Sequence, residues 1–546
     1  MKKIESFIKN RKFFWSCILT LLFVAQFLII NPIGNFALND SWVHADTIKH
    51  LLETGEFRMI PWAEPTFYIP ILYGFFVAKL FGFSFTLFRI TTLVLSFLLL
   101  LVLYIFLLEV SKQPILSFLF SLVLWLSPIF YNLSFTFMTS IPALFCLLLS
   151  MFFYYKGFTQ NEDKFLLLGS LISLAGFFIR QTNILLWFAG ITYYLWCFFQ
   201  NFNDDERNKY SIMFKKLIKL FIIPLLLFTG VYLSLYFFNL LPQNLAKAHL
   251  KQINLSFLVH FFHWSWFYLS YSALFLSPIL CGILVTQKNF FHSIKYWLLT
   301  SFSLFFSLIF NFSWSSRYEK IGNIINQFGL GPYRVIQGNL EIFLTEDFFL
   351  LLDLLAGICF GSLLYLIWVK FDKIEHDLNF IIIFFLTYLG VVSSVVAFDR
   401  YILPITLSVL IILASVIKQF NVNYKVTFCC ILIIGIFSIS QTQHYIEWNR
   451  VRTKFANSVL DNKVPATKID AGVEWNGVHD YWNVAHTKIK PTESKPWWIQ
   501  DMFSANTEEY VVSFSKFDKY NILKQKQLDS WFNPNNEIYL LEKSKK

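Results

Sequence analysis

FIIIFFLTYLGVVSSVVAF, residues Phe380–Phe398, is nineteen residues without a charge. At 1.5 Å per residue, a helix of that length runs about 28 Å, close to the roughly 30 Å of hydrocarbon in a bilayer. Only a helix satisfies every backbone N–H and C=O of a single segment in such a medium. Ile90–Leu108 and Thr427–Ser440 repeat the pattern. The whole chain follows it: over 546 residues it is 56% hydrophobic and 14% charged, with a mean hydropathy of +0.55. Soluble domains carry far more charge. The 67 phenylalanines suit lipid-facing helices, although a base-composition bias of the source would also explain them.

A net charge of +11 would ordinarily raise the question of nucleic acid. Here Lys and Arg gather in short segments between apolar spans, which is a topology signal of membrane proteins and argues against a nucleic-acid partner. Met1–Lys12 holds five basic residues and one Glu, which places the N-terminus in the cytoplasm. No small-residue cleavage site follows the first apolar run, so it reads as a retained helix. Phe13–Ile30 then crosses outward, and residues 31–86 form the first outward loop. Phe67–Phe83 is apolar but holds Pro70 and Gly74, and it reads as a juxtamembrane or re-entrant segment. With that parity the basic segments 156–164, 201–219, 287–295, 370–373 and 418–425 all fall inside, as the positive-inside rule requires.

Later spans are expected near 87–108, 115–131, 137–155, 165–181, 183–199, 217–240, 267–286, 296–312, 347–369, 380–398, 402–417 and 426–440. The fold class is therefore an all-α polytopic membrane domain, residues 1–440, with about thirteen crossings and a long outward loop at 313–346. Residues 441–546 are polar, with strand-like runs at Tyr510–Phe514 and Glu537–Leu541, and read as a small α/β domain on the outer face. All seven cysteines fall in apolar spans, so neither a disulfide framework nor a metal spacing is expected. The charge rule suits a bacterial inner membrane with the C-terminal domain outside; an endoplasmic-reticulum membrane would obey the same rule.

The chemistry concentrates in the first outward loop, Asn39-Asp40-Ser41-Trp42-Val43-His44-Ala45-Asp46. Ala45, Ile48, Leu51 and Leu52 make a helical apolar stripe that ends at Gly55, with Asp40 or Ser41 at the N-cap. Such a helix would lie along the membrane surface. A carboxylate at its start could take a proton from an acceptor hydroxyl while that oxygen attacks an anomeric carbon. On sequence pattern alone, a helix cap is the more ordinary account of an acid there. His260 and His263, three apart beside Trp264 and Trp266, read as an interfacial aromatic belt rather than a metal site. The sequons at Asn132, Asn254 and Asn311 hug membrane edges and carry no weight.

Asp40 is followed by Leu51-Leu52-Glu53-Thr54-Gly55-Glu56 with Pro61, Pro65 and Pro70. Next come Gly82 to Arg89, Arg180-Gln181-Thr182, Arg400-Tyr401-Ile402-Leu403-Pro404, Trp448-Asn449-Arg450 and Ile469-Asp470-Ala471-Gly472-Val473-Glu474-Trp475-Asn476-Gly477. The order of these stretches resembles the GT-C fold glycosyltransferases, particularly bacterial members of the protein O-mannosyltransferase and lipid A aminoarabinose transferase superfamily. One departure stands out. Met138-Thr139-Ser140-Ile141-Pro142 has Ser140 where the family usually carries Asp, which weakens any case for a metal.

The resemblance implies an inverting transfer from a polyprenyl-phosphate sugar donor to a lipid, glycan or protein acceptor on the outer face. Asp40 would be the general base, with membrane lipids around the chain and no cofactor or metal. The departing phosphate calls for arginines, whose planar fork suits it. Arg89, Arg180, Arg400, Arg317 and Arg334 are the candidates, with Lys320 beside them. His44, Tyr333 and Tyr401 are candidates for further substrate contacts, and Gly329–Arg334 reads as a mobile lid. A transporter or lipid flippase is the competing class. Such proteins keep charged groups along a mid-membrane path, whereas here Asp353 is the main exception to nearly clean spans. Ser140 keeps alive a third reading, a catalytically dead relative whose outer domain binds glycan.

Overall fold

Eight helices of the described residues are long and apolar enough to cross a membrane, or up to ten if each of two bent pairs is one span. The structure is a computed structural model that describes residues 2–60, 66–200, 207–238, 240, 255–312, 323–333, 335–395, 398–484, 495–533 and 536–544. The bent pairs are Pro114–Trp125 with Pro128–Ser134 (71°) and Leu255–Phe275 with Ser277–Leu284 (62°). In each the second helix opens with a proline in its first turn, Pro128 or Pro278. A proline there has no N–H to continue the preceding helix, so the chain turns. Among the described residues the expected count of thirteen is not confirmed, and three further apolar helices have only 10–17 residues. Tyr68–Phe81, the segment read as re-entrant, has 14 residues and extends about 21 Å, less than the hydrocarbon thickness.

Enclosure separates the spans. The Asp399–Gln419 window is 83% buried and Tyr210–Phe237 only 17%, so the first runs through the centre of the helix assembly and the second along its rim. The site described below sits at the N-terminal end of that central span.

The boundary expected at 440 falls inside a single helix, Tyr424–Leu460. Asn423 caps it, its side chain accepting from the Val426 N–H. At 37 residues it runs about 55 Å, well beyond one bilayer. Its apolar first half is a span; its second half buries His444, Tyr445, Trp448 and Arg452 against the C-terminal region.

Two short strands, β1 (Ile325–Asn326) and β2 (Gly329–Leu330), precede that region in the chain. The region itself holds β3 (Ile469–Asp470), β4 (Tyr510–Ser513), β5 (Tyr520–Gln527) and β6 (Glu537–Lys543), which form a four-stranded sheet in the order β3-β4-β6-β5. β3 and β4 run parallel and the other pairs antiparallel. The two strand-like runs seen in the sequence are β4 and β6. β5 was not legible: its residues are mostly exposed, without the alternation that a half-buried strand shows.

The stretch expected to be a mobile lid is instead packed. Ile325–Asn326 (β1) pairs with Gly329–Leu330 (β2), and all four residues are buried. Gly331 has φ +91°, and a Cβ there would stand 2.4 Å from the Tyr445 ring, so the hairpin can seat on the long helix only with glycine at that position. Asp399 Oδ2 accepts from the N–H groups of both Ile324 and Ile325, at 2.8 Å each, and ties the hairpin to the central span.

Candidate active site

Ser41–Thr54 forms the expected surface helix and closes at Gly55, which is left-handed at φ 76°. Asn39 precedes it, also left-handed at φ 54°, a conformation that Asn tolerates better than most residues. Its side chain accepts from the Asp40 N–H at 3.0 Å and donates to Asn323 at 3.2 Å. Asp40 occupies the N-cap position but its side chain makes no capping bond. Ser41 does the local fastening: its hydroxyl donates to the Leu38 carbonyl and accepts from the Phe137 N–H.

Asp40 lines a cleft of about 330 Å³ together with His44, Met138, Arg400, Glu474 and Trp497. Arg400 Nη1 lies 3.3 Å from Asp40 Oδ2, with the arginine side chain 7% exposed and the carboxylate 33%. Oδ1 of Asp40 has no hydrogen-bond partner among the described residues. His44 is buried and stacked on Phe67, ring centroids 3.6 Å apart.

Three consecutive residues of one 3-10 turn, Asp399–Tyr401, face three tasks. Asp399 holds the hairpin, Arg400 meets Asp40, and the Tyr401 ring lies 4.7 Å from the Arg180 guanidinium. Arg180 and Tyr401 line a second cleft of about 250 Å³, with Thr66, Gln181, Tyr388 and Val392 among its walls. The turn 138–140 joins the two clefts, since Met138 touches Arg400 and Ser140 Oγ lies 3.5 Å from Arg180 Nη1. Ser140 thus stands beside an arginine, where an acid would form an ion pair.

Glu474 was not singled out as a site residue, although it lies in one of the quoted stretches. It begins the Val473–Val484 helix and forms an ion pair with Arg452 at 2.7 Å, both side chains almost fully buried. Burial pushes its carboxyl above the ordinary value, against the pull of Arg452, and the charge of Asp40 adds to the upward shift. Arg452 was indistinguishable in sequence from the surface arginines around it; only packing buries it.

Other expectations change. Arg89 is buried and donates to the carbonyls of Pro32, Gly34, Phe36 and Phe135. Its guanidinium therefore pins the first outward loop to the turn before Met138 instead of facing a phosphate. Tyr333 packs on Phe328, with ring centroids 4.1 Å apart, and is not among the residues lining the Asp40 cleft, whose walls include its neighbours Pro332 and Val335. Arg317, Lys320 and Arg334 lie outside the described residues. His260 and His263 each bond a backbone carbonyl, of Val395 and Phe310. Asp353 is buried and accepts from the Tyr271 hydroxyl at 2.7 Å.

No protein-family model matches the chain, and no curated protein matches it. Among solved structures it is similar to ArnT from Cupriavidus metallidurans bound to undecaprenyl phosphate. That match has 10% identity, covers 85% of this chain and 74% of that one, and has a TM-score of 0.45. It is also similar to ArnT from the same organism in the apo state, at 9% identity over 95% and 97% of the chains, with a TM-score of 0.37. At these values neither likeness bears on what the chain does. The chain is a multi-span membrane protein with a carboxylate–arginine cleft at one end of its central span.

Proposed function

We propose that this chain is an integral-membrane glycosyltransferase of GT-C type, moving a sugar from a polyprenyl-phosphate donor to an acceptor on the extracytoplasmic face. The observation that carries the reading is the state of Asp40. It stands at a helix start without capping that helix, about a third exposed in a cleft, with one oxygen on Arg400 and the other without a partner among the described residues. A cap would have turned the carboxylate back on its own backbone.

In the reaction, the acceptor hydroxyl gives its proton to Asp40 as its oxygen bonds to the anomeric carbon. The bond from that carbon to the phosphate oxygen breaks, and the electron pair leaves on the polyprenyl phosphate. A direct displacement of this kind inverts the anomeric centre. Arg400 receives the developing phosphate charge by charge-assisted hydrogen bonds, and Arg180, in the neighbouring cleft, holds the donor phosphate before and during the reaction. The valines of the Arg180 cleft suit the first part of a polyprenyl chain. The basic segments between spans support a cytoplasmic N-terminus and, with it, an outer position for both clefts.

The test is transfer by purified protein in nanodiscs from labelled polyprenyl-phosphate sugars to candidate acceptors, comparing wild type with Asp40→Asn. The variant is expected to lose roughly 100- to 10,000-fold in kcat, the span of general base catalysis. Equal rates in both proteins would remove Asp40 from the chemistry.

A further inference from the structure

A third cleft, of about 190 Å³, opens between the Ser41–Thr54 helix and the Val473–Val484 helix. Asp46, Lys49, His50 and Glu53 line it from the first helix, Tyr481 and Trp482 from the second, and Arg58 from the chain beyond. Trp482 holds it together: its indole N–H donates to Asp46 Oδ2 at 2.9 Å, and the Arg58 guanidinium lies 3.5 Å from its ring centroid.

The charge here is mixed, with no excess of cations. Lys49 and Arg58 face three carboxylates, Asp46, Glu53 and the buried Asp480. A phosphate site would need an excess of cations. A cation site would need converging ligands, and no group of three His, Cys, Asp or Glu is so placed among the described residues. His479, also in the wall, is pushed down to about 4 by burial, so near neutral pH it is uncharged and offers one donor and one acceptor. Paired donors and acceptors on planar side chains beside indole and phenol rings match a neutral polyhydroxylated ring, whose C–H face packs on aromatics while its hydroxyls bond at the edge.

The position of the cleft gives this chemistry a role. Asp46 follows Asp40 by six residues, about 9 Å along the same helix. Trp42 in the wall of the Asp40 cleft and Tyr481 in the wall of this one have ring centroids 5.6 Å apart, so a single aromatic contact separates the two clefts. Gly477 permits the approach of the helices, since a Cβ there would stand 2.4 Å from the Trp42 ring.

We infer that the cleft between these two helices is a carbohydrate subsite, holding a sugar unit of a glycan acceptor whose terminal hydroxyl reaches Asp40. The acceptor role rests on the glycosyltransferase reading; the binding of saccharide rests on the cleft alone. The experiment is therefore a binding measurement that needs no turnover. Full-length protein in nanodiscs is titrated calorimetrically with trisaccharides of glucose, mannose, galactose and N-acetylglucosamine. At least one should bind saturably, and Arg58→Ala and Glu53→Gln, both changes at exposed positions, should each weaken it tenfold or more without moving Tm. No saturable binding by any trisaccharide, or binding undiminished in both variants, overturns the subsite. Saccharide binding without transfer from any donor would leave the subsite standing and count against the glycosyltransferase reading. Transfer without such binding would do the reverse.

Discussion

Arg400 Nη1 stands 3.3 Å from Asp40 Oδ2 across 360 residues of chain, joining the first outward loop to the start of the central span. The pair holds the carboxylate by one oxygen and sets a cation beside the cleft in which a phosphate would depart. Replacing Arg400 by Ala should lower kcat/KM for the lipid-phosphate donor by roughly 10- to 100-fold, the value of a hydrogen bond to a charged group. Arg400→Lys should recover only part of this, because Lys keeps the charge and loses the fork. Unchanged kinetics in Arg400→Ala would exclude it from the reaction.

Arg180 lies in the neighbouring cleft with Tyr401, away from Asp40. A group that holds the donor phosphate equally before and during reaction changes KM more than kcat. Arg180→Ala should therefore raise the donor KM about tenfold with kcat within a few-fold of wild type, read from initial rates over a donor series. A fall in kcat alone would move Arg180 from donor holding to transition-state contact.

The buried pair of Arg452 and Glu474 yields a stability prediction. Arg452→Met strands a buried carboxylate and should cost about 3–5 kcal/mol, whereas removing both charges in Arg452→Met with Glu474→Gln should restore much of the loss. Thermal unfolding of the detergent-solubilised protein, followed by Trp fluorescence, compares the variants. A double variant no better than Arg452→Met would show that the charges are not coupled.

Asp46 gives a pH dependence. Burial raises its carboxyl above the ordinary 3.8, outweighing the Trp482 hydrogen bond and the nearby Arg58, His50 and Lys49. A carboxyl raised on folding stabilises most below its unfolded pKa, and that contribution is lost as pH rises through the folded value. Asp46→Asn keeps an oxygen for Trp482 and removes the charge. It should raise Tm at pH 7.5, and the gain should vanish as pH falls toward 4. A Tm lowered at pH 7.5 would show that the ionised form of Asp46 is the favoured one.

Part of the candidate site was legible because its residues stand in short polar interruptions of an apolar chain and in stretches with a family resemblance. Asp40, Arg180 and Arg400 were picked out on those two grounds together, with His44 and Tyr401 beside them, and the structure gathers Asp40, His44 and Arg400 into one cleft and Arg180 and Tyr401 into the next. Arg89 was picked by the same logic and serves differently. Whether a guanidinium meets a phosphate or its own chain's carbonyls depends on where residues 32–36 fold back, and no local pattern records that. The Gly/Pro run at 329–334 misled in the opposite sense. Glycines that suggest mobility are there because Tyr445 leaves no room for a side chain at Gly331.

The sequence by itself determined that this is a helical membrane protein, where the chain is apolar enough to cross, and that an acid starts the first surface helix. Those follow from local composition, because lipid forces each segment to satisfy its own backbone. Only the tertiary structure decided that Asp40 does not cap its helix, that Arg400 is its partner, and that Glu474 and Trp482 from the C-terminal region complete the neighbouring walls. These are contacts between segments hundreds of residues apart. Their energy comes from packing and charge pairing in three dimensions, which no single stretch of chain encodes.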